Sequence, residues 1–422
     1  MAISFNGVLI LAAVAVAVPV VLGLLPAVPV PGAVLEVIAG IVIGPSVLGW
    51  VHIDAPITVL SDLGLGMLLF LAGLEIDVDR LRGTLGRLAA YAFLVSAALG
   101  VACAYALSAI NRPSRPLFLA IVLMSTSAGL ILPLLKDSEQ ENTRFGRLVM
   151  TASALAEVVT IMLLSLLFSA ASTTSADRLA SLAIFLALVV VLGLALARVR
   201  RLTALERLLD RLEDRSAQLR VRATLTLALA FGVLAYRFGF ASILGAFAAG
   251  LLVRMIDLTG HAPHPQFEIK LQGIGFGFLI PIFFIATGVQ FDLKALLAHP
   301  AAIAEVPLFL VALLIVRGLP ALLYVRLIGR RHAFVAGLMQ ATTLTFVIVA
   351  TQIGLAARLI SVTTSSSLLA AGLLSAGLFP GLALRLLAGK APLPEPVRLE
   401  DTGLWPAGAG GRRAGRPQLA GS

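Results

Sequence analysis

The chain has 422 residues, 59% of them hydrophobic and 13% charged, where ordinary soluble domains run about 45–50% apolar and about 25% charged. A water-soluble protein of this size needs a polar shell that such a composition cannot supply, so apolar runs repeated along the whole length read as membrane spans. The formal charge of +10 would suit a nucleic-acid partner, but the placement of the basic residues assigns it to membrane topology and excludes that class.

From Met1 to Gly7 there is no Lys or Arg, so the first apolar run lacks the charged start of a cleaved signal peptide and reads as a retained helix. A span needs about 20 mostly apolar residues. That rule predicts thirteen, near residues 7–25, 32–50, 57–75, 88–109, 115–135, 148–170, 179–198, 222–238, 240–256, 273–291, 301–325, 333–356 and 361–388. The eighth and ninth are short and part only around Phe238–Gly239–Phe240. Pro45, Pro133, Pro281 and Pro320 fall inside apolar runs and predict kinks or breaks that neighbouring helices repair. Between the seventh and eighth spans, Leu202, Leu205, Leu208, Leu209 and Leu212 recur at helical spacing, which predicts an amphipathic linker helix on the membrane surface. After Ala391 the sequence turns rich in Pro, Gly and Arg and loses periodicity, the composition of a disordered tail. The division expected is a transporter domain over 1–390 and a tail over 391–422. The domain itself splits into a first repeat (about 7–170), a linker (171–221) and a second repeat (about 222–388).

An odd number of spans puts the termini on opposite sides. With the N-terminus outside, the segments that then face inward hold 25 Lys and Arg and the outward ones 6, with Arg317 left inside a span. That asymmetry is the positive-inside pattern. It predicts a multi-pass protein of the cytoplasmic membrane with its C-terminus inside.

The halves resemble each other. GLGMLLFLAGLEIDVDRL lies on FGFLIPIFFIATGVQFDLKAL, so that Gly73 meets Gly288, Asp77 meets Asp292 and Leu81 meets Leu296. AGIVIGPSVLG pairs more loosely with GAFAAGLLV. The shift is seven helices, an odd number, which reverses direction through the membrane. Inverted repeats are typical of secondary transporters, with a midplane site between discontinuous helices.

Charges within spans are costly and point to function. Glu157 lies about ten residues into the sixth span and Arg317 in the middle of the eleventh. Glu36, Asp62, Glu75 and Asp77 sit nearer span ends, and capping or interfacial roles are expected for them. Ser153 and Thr160 share a helical face with Glu157. A carboxylate among hydroxyls holds a partly dehydrated monovalent cation or a proton but not comfortably both, and that competition is the minimum machinery of an antiporter. A structural Glu157–Arg317 ion pair is the plainer reading, and both can hold together. The fifth span carries MSTSAGLILP, with Ser125, Thr126, Ser127 and Gly129, and the twelfth carries QATTLTF, with Gln340, Thr342, Thr343 and Thr345. Unwound turns there expose carbonyls and half-helix dipoles; hydroxyl-mediated helix packing is the alternative. Cys103 reads as a small buried hydrophobe, and His261 and His264 as solvated loop residues. No His/Asp/Glu cluster marks an enzyme, and no cofactor is expected.

In order, VPGAVLEVIAGIVIGPSVLG, LGLGMLLFLAGLEID, STSAGLILPLLKD, ILGAFAAGLL and PIFFIATGVQFDL make the chain, from about residue 28 to about 388, resemble the cation:proton antiporter-2 family. That family includes Kef-type transporters and sodium/proton exchangers. The resemblance implies an all-α polytopic fold of about thirteen spans, a core domain and a dimerisation panel, two crossed broken helices (the fifth and twelfth spans), a homodimer and elevator-like transport. It places the ion-binding acid, a transient monovalent-cation ligand, on Glu157. Supporting hydroxyls fall on Thr126 and Ser153 with Ser127 beside them, and the basic core residue on Arg317. Many members have two adjacent polar or acidic residues where this chain has Ala156 and Glu157, and many have Lys at Arg317. Where an acidic residue is often found in the twelfth span, this chain has Thr342, Thr343, Leu344 and Thr345. One titrating acid beside a permanent cation predicts electroneutral exchange of Na⁺, K⁺ or Li⁺ for H⁺. Two other readings stay open: a secondary transporter of another substrate, such as an organic-anion symporter with Arg317 as the anion's partner, and a non-transporting membrane sensor.

Overall fold

A computed structural model describes residues 5–24, 30–76, 83–110, 115–167, 180–191, 219–258 and 265–388. The expected linker helix (bar its last residues), the tail, Asp77, His261 and His264 lie outside the described residues. The described residues are helical, with no strand among them. The helices belong to one compact unit ending at Leu387.

In chain order they are α1 (Asn6–Leu24), α2 (Gly32–Ile43), α3 (Ala55–Leu74), α4 (Thr84–Ile110), α5 (Pro116–Leu123), α6 (Ala128–Asp137) and α7 (Arg144–Leu167). The short helix α8 (Ala180–Val191) follows. Then come α9 (Leu219–Arg237), α10 (Ser242–Leu258), α11 (Pro265–Ile274), α12 (Ile280–Gln290), α13 (Leu293–Ala298), α14 (Pro300–Leu313), α15 (Val325–Gln340), α16 (Thr345–Ala356) and α17 (Val362–Ala388). Among the described residues, eight helical stretches are long and apolar enough to cross a bilayer, and one of them, Pro300–Ala356, runs 57 residues. That stretch holds two of the expected spans, because the polar link between them has shrunk to a kink at Gly329, whose φ of 80° interrupts the helix. Glycine takes that left-handed conformation without a Cβ clash.

The prolines explain the irregular helix. Pro281 and Pro320 each follow a π-helical turn, Gly275–Leu279 and Leu314–Gly318. Proline has no N–H to give the carbonyl four residues back, so the helix widens just before it. Pro45 follows the end of α2 at Gly44. Pro133 sits inside α6, which continues past it.

Two sets of helices pack chiefly within themselves: α1–α3 with α9–α12, and α4–α7 with α14–α17. The largest apolar cluster joins them. In the first set, two pairs close by the same device. A Cβ on Gly250 of α10 would overlap the Phe70 carbonyl oxygen of α3, and a Cβ on Gly40 of α2 would overlap the Ile285 carbonyl oxygen of α12. Reciprocally, Gly73 lies against the Phe247 carbonyl and Gly288 against the Val37 carbonyl. Phe70 and Gly73 keep the spacing of Ile285 and Gly288, and Phe247 and Gly250 that of Val37 and Gly40. The repeated sequences thus make the same backbone-to-backbone contact twice.

Not every acid does what its position along the chain predicted. Asp54, not Asp62, caps α3, its Oδ1 accepting from Ile57 N–H at 3.0 Å. Asp62 is exposed in the second turn of that helix. Asp292 caps α13 through Ala295 N–H at 2.8 Å. Glu36 caps nothing: α2 begins after Pro31 with no side-chain cap, and Glu36 lies a turn inside it. Glu75 stands at the C-terminal end of α3, where a carboxylate opposes the helix dipole.

Candidate functional site

The fifth and twelfth expected spans are both broken. α5 ends at Leu123 and α6 begins at Ala128; α15 ends at Gln340 and α16 begins at Thr345. Each break frees backbone donors and acceptors with no intrahelical partner, and in an apolar interior these must be satisfied by protein. The two breaks satisfy each other. Ser127 N–H donates to the Thr342 carbonyl at 3.1 Å. Ser127 Oγ accepts from the N–H groups of Leu344 and Thr345 at 3.0 and 3.1 Å, so a residue of one broken helix caps the other. The hydroxyls of Ser125 and Thr343 meet at 2.8 Å. The Thr126 hydroxyl donates to the Gln340 carbonyl at 2.6 Å. Ser375 of α17 completes the joint, accepting from Thr343 N–H at 3.2 Å and donating to the Thr343 carbonyl at 3.1 Å.

Glu157 lies against this joint from α7. Its Oε2 accepts from Ala128 N–H, the first residue of α6, at 3.2 Å. A carboxylate at a helix N-terminus is favoured by both the free N–H and the dipole. Glu157 is 5% exposed and Ala156 beside it is fully buried. Ser153 Oγ, one turn earlier, is buried without a hydrogen-bond partner among the described atoms. The Thr160 hydroxyl turns back on its own helix, donating to the Ala156 carbonyl at 2.7 Å.

Arg317 approaches from the other side. It is 2% exposed and lies in the π turn that Pro320 induces. Its Nε donates to Thr126 Oγ1 at 2.7 Å and its Nη1 to Ser96 Oγ at 3.3 Å. The Ser96 hydroxyl donates in turn to the Val316 carbonyl at 2.7 Å, the carbonyl that Pro320 leaves without an α-helical donor. Through Thr126 the guanidinium is tied to the C-terminal end of α15. The joint therefore holds a carboxyl group at a helix start and a guanidinium near a helix end, the arrangement that half-helix dipoles favour. Glu157 and Arg317 form no ion pair with each other, so the plain structural pair is replaced by two separately held groups.

Of the residues singled out in the sequence, Glu157, Ser153, Thr126, Ser127, Arg317, Thr342, Thr343 and Thr345 all gather at the joint and all are buried. The division among them differs from expectation. Thr126 is engaged by Arg317 and Gln340, and Ser127 spends its lone pairs on two N–H groups. Ser153 is left as the free hydroxyl near Glu157. The Ala128 N–H, Ser96 and Ser375 were not foreseen: one is backbone, and the serines stand alone in apolar helices.

Two cavities approach the joint. One, of about 190 Å³, is lined by Thr151 and Ala154 of α7 below Glu157 and by Glu75, Lys136, Arg254 and Glu268. Arg254 and Glu268 pair there at 3.6 Å. The second, of about 570 Å³, touches Gly129 and Thr345 at the two helix starts. Among the described residues there is no group of His, Cys, Asp and Glu that would hold a resident metal.

Residues 10–388 match the family model described as "Sodium/hydrogen exchanger, transmembrane". YjbQ of Bacillus subtilis (strain 168), whose name is that of an Na(+)/H(+) antiporter, is 27% identical over 381 residues, covering 87% of this chain and 60% of that protein. The chain thus spans about three-fifths of that relative's length. The Na(+)/H(+)-K(+) antiporter GerN of Bacillus cereus is 27% identical over 265 residues, 62% of this chain and 65% of GerN. In fold, the chain is similar to the sodium proton antiporter MjNhaP1 from Methanocaldococcus jannaschii, with a TM-score of 0.60 and 16% identity over 90% of this chain and 99% of that one. Two broken helices joined to each other beside a buried carboxyl group, in a chain whose residues 10–388 match the family model, lead to one placement: this protein belongs to the transmembrane sodium/hydrogen exchanger family.

Proposed function

We propose that this chain exchanges a monovalent cation, Na⁺ or K⁺, for a proton at Glu157, one for one, as an antiporter of the cytoplasmic membrane. The observation that carries the reading is the seat of Glu157: a buried carboxylate on the first N–H of α6, beside the unpartnered Ser153 hydroxyl and apart from Arg317. Because the arginine is held by Thr126 and Ser96, it does not neutralise the acid, which is left to choose between a proton and a cation. Arginine stays protonated at usual pH, so a single titrating group sits at the centre and the exchange is electroneutral.

The two helix sets support an elevator. The set α4–α7 with α14–α17 carries the joint, and the other set meets it largely through apolar surface, a boundary that can slide. In this reading α1–α3 with α9–α12 is the dimerisation panel, the protein is a homodimer, thirteen spans cross the bilayer and the broken helices cross at the joint. The N-terminus is outside and the C-terminus inside, as the basic residues favour. The test is purified protein in liposomes holding a pH-sensitive dye, with Na⁺, K⁺ or Li⁺ added against a proton gradient. Wild type is expected to collapse the gradient with at least one cation and Glu157→Gln with none. A folded wild-type protein silent to all three, or an active Glu157→Gln, refutes the proposal.

A further inference from the structure

The cavity of about 570 Å³ holds more than the exchange of a bare ion requires. Its walls are Leu68, Leu130, Phe276 and Phe284 with other apolar residues, and among the described side chains lining it only Glu36 and Thr345 are polar. Among the described residues, no Lys, Arg or His lines it. Volumes of about 300–1,000 Å³, apolar walls and a few placed polar groups are the marks of a small-molecule site. A monovalent cation with a water or two needs a fraction of that space and gains nothing from aromatic walls.

Glu36 gives the cavity its sign. It is not used as a cap, being a turn inside α2, and it is half-buried. A carboxylate facing apolar walls within a membrane protein calls for a positive partner, and none is found among the described residues that line this cavity. We infer that the cavity is a binding site for an amphipathic organic monocation, with its ammonium on Glu36 and its alkyl or aryl body against Leu68, Phe276 and Phe284. The charge pairs as a charge-assisted hydrogen bond, the aromatic faces favour a cation nearby, and the body removes apolar wall from water.

The position has a consequence for transport. The cavity wall comes from α1, α2, α3 and α12 of one helix set and from α6, α16 and α17 of the other. An occupant touches both and resists their sliding, so such a cation inhibits exchange. That consequence rests on the elevator reading; the binding itself does not.

The experiment is isothermal titration of the full chain in lipid nanodiscs with 4-phenylbutylammonium, and with 4-phenylbutan-1-ol and 4-phenylbutyrate as neutral and anionic ligands of the same body. Wild type is expected to bind the ammonium saturably and at least about tenfold more tightly than the alcohol, and the carboxylate least. Glu36→Gln is expected to erase the preference for the ammonium over the alcohol, while Glu157→Gln keeps it. Equal binding of ammonium and alcohol to wild type, the outcome for a slot filled by lipid chains, overturns the inference, as does no saturable binding. Preference kept in Glu36→Gln but lost in Glu157→Gln also overturns it by moving the charge contact to the joint. The wild-type comparison decides even if Glu36→Gln fails to fold. Because binding is read without transport, a protein that binds the ammonium yet exchanges no ion separates this inference from the proposed function.

Discussion

Ser127→Ala removes one oxygen from the joint and leaves two buried N–H groups, those of Leu344 and Thr345, without an acceptor. An orphaned buried donor costs about 1–3 kcal/mol, so the loss is expected to total about 2–6 kcal/mol. The lower end applies if α16 unwinds a turn to find other partners. Ser125→Ala is the matched control. Its hydroxyl meets Thr343 Oγ1 and the Val122 carbonyl, so its removal strands no N–H and costs about 0.5–1.5 kcal/mol. Both sites are fully buried or nearly so, and both changes delete the same atom, so cavity terms cancel in the comparison. Reversible unfolding in mixed detergent micelles measures the difference. Equal destabilisation by the two substitutions would refute the view that Ser127 caps the opposite broken helix.

Four further outcomes follow from the same contacts. Gly250→Ala and Gly40→Ala each force a Cβ into a neighbouring carbonyl and are expected to cost about 1–3 kcal/mol or more, whereas Gly66→Ala meets nothing within 4 Å. Gel filtration of the three in detergent checks the ranking, and a well-behaved Gly250→Ala with wild-type stability contradicts the packing. Ser96→Ala strips Arg317 Nη1 and the Val316 carbonyl of their partner, with an expected loss of about 1–3 kcal/mol and slower exchange. Restoration by Ser96→Thr, which keeps the hydroxyl, is the check. Glu157→Asp withdraws the carboxylate from Ala128 N–H and is expected to raise the cation concentration for half-maximal exchange at least about threefold, measured in the dye assay; an unchanged value argues against that contact. Exchange by wild type is expected to be insensitive to a clamped membrane potential, and a current reversing away from the electroneutral condition counts against one proton per cation.

Much of the architecture was legible because lipid simplifies the reading. With no water to satisfy a backbone, a crossing must be a helix or a strand of a closed barrel, and apolar runs of about 20 residues are helix length, so apolar length located the helices, including the pair separated only at Gly239. Pro281 and Pro320 announced irregular helix for a reason carried by the residue itself, the missing N–H. The polar runs at 125–127 and 342–345 stood out as hydroxyls where apolar residues were due. The acids were harder. Asp62 and Asp54 are both near the start of α3 in sequence, and only the helix's starting point decides which can cap it. Glu36 looked interfacial by position along the chain, yet it faces a cavity that seven helices build together.

Sequence by itself determined the solvent, the helices, the repeat, the family and the two buried charges, because each of these follows from composition, period or residue type along one stretch of chain. Only the tertiary structure decided who serves whom. Glu157 sits on a backbone N–H of α6 rather than on Arg317, Thr126 belongs to the arginine, Ser127 caps a helix more than two hundred residues away, and Ser153 is left free. Hydrogen bonds are settled by distances of about 3 Å between groups on different helices. No spacing within one helix encodes which of several hydroxyls will come within that distance.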